Sequence, residues 1–267
     1  MYRIALAWNG KTLEVDNSRL AAIIVVGCGG TGGFVADGLA RLLPQGISLV
    51  LIDMDTVEER NLNRQSFTAA DVGLFKSEAL AKRLAGKYQR PIQYSVLPVG
   101  AGDLPRGIIV GCVDNGPARQ AIADHLHDGQ WLVDSGNGRN FGQVLLGNST
   151  TEKLRPSFIA DLCCRLPLPA IQQPAILAQV PRRRSCAEAV AADEQGPTIN
   201  QAMGALVVEV VRRIIEGTCP WMQLYLDLDA GTLTPTMATP EAVSRLTGIR
   251  PSRLIEKERR KTCQGTS

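Results

Sequence analysis

The sequence has little of several features that would assign it to a specialised class of protein. Aromatic residues make up only 4% of its 267 residues, and the longest apolar run, Leu20 to Val26, is too short to span a bilayer. The start of the chain lacks the basic flank and the apolar core of a secretory signal. The net charge of +3, from 29 basic and 26 acidic residues, is small for a dedicated nucleic-acid binder. We therefore expect a globular cytoplasmic protein with no membrane segment and no nucleic-acid partner.

The cysteines lack the pattern of a disulfide framework. There are seven of them, an odd number, and a chain of this length can bury a sufficient core without cross-links, so we expect reduced thiols. The 45% hydrophobic content suits one large domain or two small ones. Because no domain boundary is evident before about residue 240, we favour one large domain.

Glycine, in contrast, is abundant and concentrated at one point. Five of the 26 glycines lie between Gly27 and Gly33. They follow a β-branched run that is typical of a strand buried on both faces, and they precede apolar residues at helical spacing up to Pro44. Gly27, Gly29 and Gly32 form the pattern GxGxxG, which permits a tight turn and close approach of a pyrophosphate to the helix N-terminus. The sequence therefore predicts a nucleotide-binding turn; glycines that serve only strand–helix packing are the alternative.

The elements around this turn alternate between strand and helix. A strand at Ile47 to Ile52 completes a βαβ unit, and the alternation continues to about residue 134. Phe141 to Leu146 then follows as a strand without an intervening helix, which indicates an antiparallel portion. We predict an α/β protein with a Rossmann-like, doubly wound sheet that is mostly parallel. The other elements predicted are helices at Lys76 to Tyr88, Pro117 to His127 and Thr198 to Gly217, strands at Ile92 to Val99, Gly107 to Val113 and Trp131 to Val133, and a hairpin turning at Asp229 to Thr232.

The chain divides into three parts. Residues 1–19 predict a β-hairpin with its turn at Asn9-Gly10. Residues 20–239 form the main domain, in which residues 151–197 are a proline-rich loop with no sustained period. Residues 240–267 predict a helical, basic tail, whose charges we interpret as a solvated helix face rather than an RNA-binding surface.

Two acids, Asp53 and Asp55, follow the second strand of the βαβ unit. In dinucleotide-binding folds an acid at this position binds the ribose hydroxyls. Up to this point a nicotinamide-dependent dehydrogenase fits the residues equally well.

The next polar residues favour a triphosphate. Asn63, Arg64 and Gln65, followed by Lys76, supply cations and amides that a dehydrogenase does not need there. Cations neutralise the charge that develops on a departing pyrophosphate, and an acid such as Asp114, at the end of a later strand, can hold Mg²⁺. For Arg64 or Lys76 taken alone, the alternative is a solvated surface charge.

In this order the motifs resemble those of the ThiF/MoeB family and of the adenylation domains of ubiquitin-activating enzymes. The resemblance covers roughly residues 20 to 217, including Gly142-Gln143 and Ser185–Ala189 in the second half. The segments that carry it in the first half are Gly27–Gly32, Ile52–Val57, Asn61–Gln65, Val72-Gly73 with Lys76, and Cys112–Asn115 with Arg119.

The resemblance implies a ThiF/MoeB-type fold that binds ATP and Mg²⁺. It implies that Asp53 and Asp55 serve the ribose and the reacting centre, and that Asp114 binds the metal. Arg64, Lys76 and Asp114 are the implied catalytic residues of the adenylation step. The remaining implied nucleotide contacts come from Gly27, Gly29, Gly30, Gly32, Asn63 and Gln65.

The implied activity is adenylation of the C-terminal carboxylate of a ubiquitin-like or sulfur-carrier protein, by a homodimer. Within the family the chain is similar to the plasmid-associated PRTRC-type branch, where a ubiquitin-like partner and a metalloprotease of deubiquitinase type are expected. One alternative is adenylation of a small molecule, a peptide or a tRNA-borne carboxylate. Another is a non-catalytic nucleotide-binding scaffold, against which the intact Arg64, Lys76 and Asp114 argue.

One cysteine has a setting that suits chemistry. Cys186 follows three arginines and precedes a helix, which favours the thiolate form. We hypothesise that Cys186 accepts the activated acyl group as a thioester, or carries sulfur. The alternative is an ordinary loop cysteine beside solvent-facing arginines.

Two features depart from the family pattern. Many relatives hold zinc on two Cys-x-x-Cys pairs, but here Cys163 and Cys164 are adjacent and Cys219 has no second thiol, so we expect no zinc site. A degenerate site that adds Cys186 to these three is the alternative. The family also commonly has an N-terminal helix whose arginine reaches into the partner's ATP site; here Arg3 or Arg19 substitutes for it, or it is absent.

Overall fold

An eight-stranded mixed sheet organises the chain. The structure, a computed structural model, describes residues 5–7, 20–102, 104–160, 162–179 and 198–256. The strands in these ranges are β1 (Leu6–Ala7), β2 (Ala22–Val26), β3 (Ser48–Ile52), β4 (Ile92–Ser95), β5 (Ile108–Gly111), β6 (Leu132–Asn137), β7 (Phe141–Gly147), β8 (Phe158–Ile159), β9 (Leu162–Cys163), β10 (Trp221–Asp227) and β11 (Thr232–Met237).

The order of strands in the large sheet is β11-β10-β7-β6-β5-β2-β3-β4. The five strands from β6 to β4 are parallel, and Ile24 of β2 pairs with Val50 on one side and Ile109 on the other. The other three strands pair in antiparallel fashion: β7 with β6, β10 with β7, and β11 with β10. The predicted mostly parallel sheet with an antiparallel portion is thus confirmed.

Helices cover both faces of the parallel strands, as in a doubly wound fold. A hydrophobic core lies on each face of the sheet, and alternate residues of β2 belong to different cores. Val25 packs with α1, α2 and α5, whereas Ile24 packs with Ile122 of α3. The helices are α1 (Gly30–Leu42), α2 (Lys76–Tyr88), α3 (Gly116–Asp124), α4 (Pro169–Gln172), α5 (Ile199–Ile215), α6 (Pro240–Thr247) and α7 (Pro251–Leu254). All five residues of β2 are buried, which agrees with its continuous apolar run.

Several predicted bounds need correction. The strand predicted to reach Val99 ends at Ser95, and the helix predicted to reach His127 ends at Asp124. The strand predicted to end at Val133 instead continues to Asn137, because β7 turns back and pairs along its whole length. Periodicity could not detect this extension, since the last four residues of β6, Asp134 to Asn137, are polar or glycine.

The proline-rich segment contains structure that the sequence did not predict. Its short strands β8 and β9 pair with each other, and β9 pairs with β1 in a three-stranded antiparallel sheet. Strands of two residues are too short to give a periodic signal. Within the predicted N-terminal hairpin only residues 5–7 are described, so the hairpin itself, Arg3 and Arg19 lie outside the described residues.

A buried arginine, which the sequence reasoning missed, closes the end of α1. Arg90 is 5% exposed and donates hydrogen bonds to the carbonyls of Ala40, Leu43, Pro44 and Ile47 at 2.8 to 3.2 Å. Carbonyls at a helix C-terminus have no intrahelical donors, and a cation there also complements the helix dipole. Arg90 therefore fixes the path of the chain from α1 into β3.

Across the described ranges, the helices are all too short or too polar to cross a bilayer.

Candidate active site

The glycine turn lies at the edge of the sheet where the parallel strands end. Gly27 has a φ of +89°, and a Cβ built on it would lie 2.6 Å from the carbonyl oxygen of Cys112. A Cβ on Gly32 would lie 1.8 Å from the carbonyl oxygen of Gly27. Side chains at these two positions would push β2, α1 and the end of β5 apart. Part of the glycine pattern is therefore required for packing, as the alternative interpretation proposed.

Gly29 and Gly30 stand at the start of α1, where backbone N–H groups have no partner within the helix. Across the described residues, no side chain caps this end. A Cβ on Gly29 would lie 3.8 Å from the side-chain amide of Gln65, so the space above the turn opens towards that residue. The Gln65 oxygen Oε1 is buried, and none of the described groups hydrogen-bonds to it. The unpaired N–H groups at the start of α1 fit an anionic ligand, whereas the Gln65 oxygen, which is an acceptor, fits a hydroxyl or another donor on the same ligand.

Asp53 ties the glycine turn to β3. Its Oδ2 accepts the backbone N–H of Cys28 at 2.6 Å, and its Oδ1 accepts that of Asp55 at 2.9 Å. Burial raises the pKa of Asp53, and the two hydrogen bonds oppose this shift. In this structure the carboxylate thus holds the backbone of the turn, and its contact with a ribose remains a prediction.

Lys76 and Asp55 form an ion pair beside the turn. Lys76 Nζ lies 3.1 Å from Asp55 Oδ2, with the lysine side chain 11% exposed and the aspartate side chain 63% exposed. The hydroxyl of Ser77, which the sequence reasoning missed, donates to the carbonyls of Asp53 and Ser95. These bonds fasten the first turn of α2 to the ends of β3 and β4, so the ammonium group is held at the strand edge.

Asn63 and Arg64 lie on the loop between β3 and α2. The loop is shaped by a short 3-10 helix, Glu59–Asn61, in which the buried Asn61 side chain accepts the N–H of Glu58. Asn63 and Arg64 are both exposed. The Arg64 guanidinium makes no hydrogen bond or ion pair with another described residue. The structure therefore fixes the loop and leaves this cation available to a ligand.

Asp114 follows β5, on the other side of β2 from Asp53. It is exposed, and its Oδ1 accepts a hydrogen bond from Asn115 Nδ2 at 3.1 Å, while Asn115 caps α3 through the N–H of Ala118. No group of three or more metal-ligating side chains occurs in the ranges that the structure describes. One carboxylate suits Mg²⁺ all the same, because this ion keeps water and substrate phosphates as most of its ligands.

A polar cluster that the sequence reasoning missed supports the turn from behind. Thr31 Oγ1 lies 3.1 Å from Asn137 Oδ1 and 3.1 Å from Asn200 Oδ1, and Asn137 Nδ2 donates to Asn200 Oδ1 at 3.1 Å. A Cβ on Gly30 would lie 2.4 Å from Asn200 Nδ2. The first turn of α5 is therefore locked against the first turn of α1. Nothing in the sequence spacing indicates this contact, because the residues are more than 60 positions apart.

The described buried cysteines are packing residues. Burial raises the pKa of the Cys28 and Cys163 thiols, and it raises the pKa of Cys219 to about 12. A thiol with a raised pKa is a poor nucleophile at neutral pH. Cys186, the cysteine for which we hypothesised a chemical role, lies outside the described residues, as does any zinc site that would include it.

A sheet face with two exposed aromatic side chains adjoins the strand edge on its antiparallel side. Phe141 is 62% exposed and Tyr225 is 36% exposed. Phe141 pairs with Asp227, and Tyr225 pairs with Gln143, so the two aromatic side chains point to the same face of the sheet. A Cβ on Gly142 would meet Met203 of α5, which shows that the aromatic pair faces away from that helix. We call Phe141, Gln143 and Tyr225 the aromatic face.

Comparisons with known proteins identify the family and the fold of the chain. The family model described as "ThiF family" matches residues 12–246. The chain is 35% identical over 140 residues to ubiquitin-like modifier-activating enzyme 5 of Aedes aegypti, which covers 45% of this chain and 34% of that protein. It is 29% identical over 226 residues to the enzyme of the same name from Drosophila mojavensis, which covers 76% of this chain and 52% of that protein. The chain thus spans about a third to a half of the length of these relatives.

Solved structures share the fold. E. coli MccB with ATP superposes with a TM-score of 0.55 at 20% identity, over 83% of this chain and 65% of that chain. PaaA superposes with a TM-score of 0.56 at 18% identity, over 82% of this chain and 64% of that chain. At these identities the likeness establishes a common architecture, including the mixed sheet.

Proposed function

Because the chain belongs to the ThiF family, we propose that it is an ATP-dependent adenylating enzyme that acts on the C-terminal carboxylate of a ubiquitin-like or sulfur-carrier protein. The observation that carries this proposal is the setting of the glycine turn. The turn is fixed to the ends of β3 and β5, with Lys76 on one side and Asp114 on the other. A triphosphate that lies on the turn would have a cation, Lys76, and a carboxylate, Asp114, at the same edge of the sheet.

The proposed step joins a carboxylate to AMP. A carboxylate oxygen attacks the α-phosphorus of ATP, the bond from that phosphorus to the bridging oxygen of the β-phosphate breaks, and pyrophosphate leaves with the electron pair. The products are an acyl-adenylate and pyrophosphate. Positioning of the two reactants in line and stabilisation of the charge on the leaving group supply most of the rate enhancement in reactions of this kind.

The residues of the strand edge divide these tasks. The N–H groups at the start of α1 bind phosphate oxygens, and Gln65 lines the same cradle. Lys76 and Arg64 neutralise the charge that develops on the departing pyrophosphate. Asp53 and Asp55 serve the ribose and the reacting centre, as the family resemblance implies. Mg²⁺ held by Asp114 would supply charge neutralisation at the phosphates.

A protein substrate is supported by the aromatic face. The turn between β6 and β7 lies at the carboxyl end of β6, the same edge as the glycine turn, and Phe141 follows that turn directly. Exposed aromatic side chains are typical of surfaces that bind other proteins. A partner seated on this face would have its C-terminus beside the nucleotide. The names of the relatives, which are enzymes that activate ubiquitin-like modifiers, point to the same class of substrate.

Two further features of this proposal follow from the family resemblance. The first is attack of the Cys186 thiolate on the carbonyl of the acyl-adenylate, which forms a thioester and releases AMP, or transfer of sulfane sulfur to Cys186 from a persulfide donor. The second is assembly as a homodimer within the PRTRC-type branch. Action in the cytoplasm is a separate proposal, which rests on the expectation of reduced thiols. Light scattering of the purified protein tests the dimer. Intact mass spectrometry before and after thiol reduction tests the Cys186 adduct.

The adenylation step is tested by exchange of labelled pyrophosphate into ATP. We expect exchange that depends on a partner with a free carboxylate and that falls at least about 100-fold in Lys76→Ala, because one preorganised charge contact is worth that much in a dry site. Lys82→Ala is the matched control, since Lys82 lies less than two turns along the same helix and, of the described residues, forms its ion pair with Glu78 on the surface. Equal exchange by the two variants would contradict the role of Lys76.

A further inference from the structure

A buried ion pair lies directly beneath the strand end that carries Asp114. Arg119 of α3 is 4% exposed and Asp134 of β6 is 1% exposed, and Arg119 Nε lies 3.2 Å from both carboxylate oxygens of Asp134. Asp134 pairs with Gly111, the last residue of β5, where a Cβ would lie 3.2 Å from Asp134 Oδ1. The glycine thus leaves room for the carboxylate over the end of the strand.

The other guanidinium nitrogens of Arg119 donate hydrogen bonds to the backbone around Asp114 and to one distant segment. Nη2 donates to the carbonyl of Val113 at 2.8 Å, and Nη1 donates to Oε1 of Gln179. The peptide that joins Val113 to Asp114 is therefore held by the arginine itself. One side chain contacts β6, the end of β5 and Gln179, which follows the 3-10 helix Pro174–Ala178.

That segment lies against the start of α3 through a second, independent contact. The N–H of Gly116 donates to the carbonyl of Gln179 at 2.6 Å. A Cβ on Gly116 would lie 1.9 Å from the carbonyl oxygen of Leu177, so only glycine permits this approach. Asp114, which lies between Val113 and Gly116, is consequently held from both sides.

Resting on the proposed function, we propose that Arg119 is a positioning residue for adenylation, which fixes the backbone of Asp114 through Val113 and seats Gln179 against α3. If Arg119 had only a structural role, a buried guanidinium whose charge is compensated by Asp134 would be sufficient. Replacement of buried ion pairs by apolar residues of similar size is often neutral or stabilising for a fold, so the burial of this pair is by itself weak evidence for a role in stability. Its contacts on both sides of Asp114 are what apolar residues cannot reproduce.

The double variant Arg119→Met/Asp134→Leu separates the two roles. We expect its melting temperature to fall by no more than about 10 °C, since it leaves no uncompensated charge and loses only the hydrogen bonds of Arg119 to Val113, Ser135 and Gln179. We expect its pyrophosphate exchange rate to fall about 10- to 100-fold, the usual effect of a misplaced catalytic group. The apparent Mg²⁺ concentration for half-maximal rate should rise, whereas the Kd for ATP in EDTA should change less than about twofold. Lys87→Met/Asp37→Leu, which removes a surface pair between α1 and α2, is the matched control.

A second variant tests the proposal without touching the ion pair. Gly116→Ala forces Leu177 and Gln179 away from α3. It should reproduce both the loss of exchange and the rise in the Mg²⁺ concentration that gives half-maximal rate. Gly86→Ala, where a Cβ meets nothing within 4 Å, should show the exchange rate and the Mg²⁺ dependence of the wild type.

If the double variant does not fold, Gly116→Ala decides the question. Wild-type exchange and Mg²⁺ dependence in Gly116→Ala or in a folded double variant would overturn the proposal. A wild-type protein with no exchange would instead contradict the proposed function, and the comparison of ATP binding with and without Mg²⁺ would still report on Arg119.

Discussion

The backbone N–H of Cys28 donates a 2.6 Å hydrogen bond to Oδ2 of Asp53. This bond joins the glycine turn after β2 to the residue that follows β3. The same carboxylate accepts the N–H of Asp55, whose side chain pairs with Lys76. Asp53 therefore links the phosphate cradle to the backbone of Asp55, the ion-pair partner of Lys76.

Asp53→Ala should loosen this arrangement. Loss of a buried acceptor for two backbone N–H groups should lower the free energy of unfolding by roughly 2 kcal/mol and should weaken ATP binding. Chemical denaturation and calorimetry measure the two effects. Asp37→Ala is a suitable control, because Asp37 pairs with Lys87 on the surface and should cost less than about 1 kcal/mol. Equal effects of the two variants on ATP binding would contradict the role given to Asp53.

Gly32→Ala should abolish the turn. The new Cβ would lie 1.8 Å from the carbonyl oxygen of Gly27, a clash that only backbone movement can relieve. We expect loss of ATP binding together with a lower melting temperature. Gly86→Ala places a methyl group in open space within α2, and it should raise the free energy of unfolding by up to about 1 kcal/mol, because alanine favours helix. An unperturbed Gly32→Ala protein would show that the turn is not as tightly packed as described.

Arg90→Met should destabilise the protein without affecting the chemistry. The substitution leaves the buried carbonyls at the end of α1 without donors, at a cost of about 2–4 kcal/mol. Lys82→Met removes an exposed pair and should change the free energy of unfolding far less. Denaturant titration compares the two variants. Exchange activity per folded molecule should remain at the wild-type level in both.

The pH dependence of stability should contain a contribution from Glu209. Hydrogen bonds from Arg212 and Arg213 lower its pKa from 4.5 to about 2 in the folded state. A carboxylate with a depressed folded pKa stabilises the fold above its unfolded pKa, and this stabilisation is lost as the pH falls through the folded value. The difference in unfolding free energy between wild type and Glu209→Gln should therefore be constant above about pH 5 and shrink below it. The effect is small because the group is largely exposed, and a difference that grows on acidification would contradict the assignment.

Phe141→Ser should impair the protein substrate selectively. If the aromatic face binds the partner, the KM for the partner should rise roughly tenfold or more, while the Kd for ATP should not change. Leu97→Ser, at another exposed apolar side chain, is the control. Kinetics of pyrophosphate exchange against partner concentration give both constants. An unchanged KM in Phe141→Ser would place the partner elsewhere.

The large elements could be predicted from the sequence because each has a strong local signal. α2 begins at Lys76 and ends at Tyr88 as its apolar spacing predicts, and the glycine turn lies between β2 and α1 as the GxGxxG pattern predicts. The predicted ends of β4 and β6 were wrong because pairing with neighbouring strands, rather than the local sequence pattern, determines where these strands end. The sheet formed by β1, β8 and β9 is held together by contacts between distant segments, which leave no periodic trace.

The site could be predicted only in part, for a related reason. Lys76 and Asp55 are brought together, and Asp114 follows the neighbouring strand end as expected. Arg119 and Asp134 were not recognised as a pair, since burial of a charge depends on what packs over it. The contact between Thr31 and Asn200 spans 169 positions and depends on the space left by Gly30. Such side chains acquire their roles from the tertiary fold.

The most direct test of the account is exchange of labelled pyrophosphate into ATP, in the presence of a ubiquitin-like protein from the same organism whose C-terminal carboxylate is either free or converted to an amide. The account predicts exchange with the free carboxylate, none with the amide, and an AMP adduct of the free form in the intact mass spectrum. Absence of exchange with the free carboxylate, or equal exchange with the amide, would contradict it.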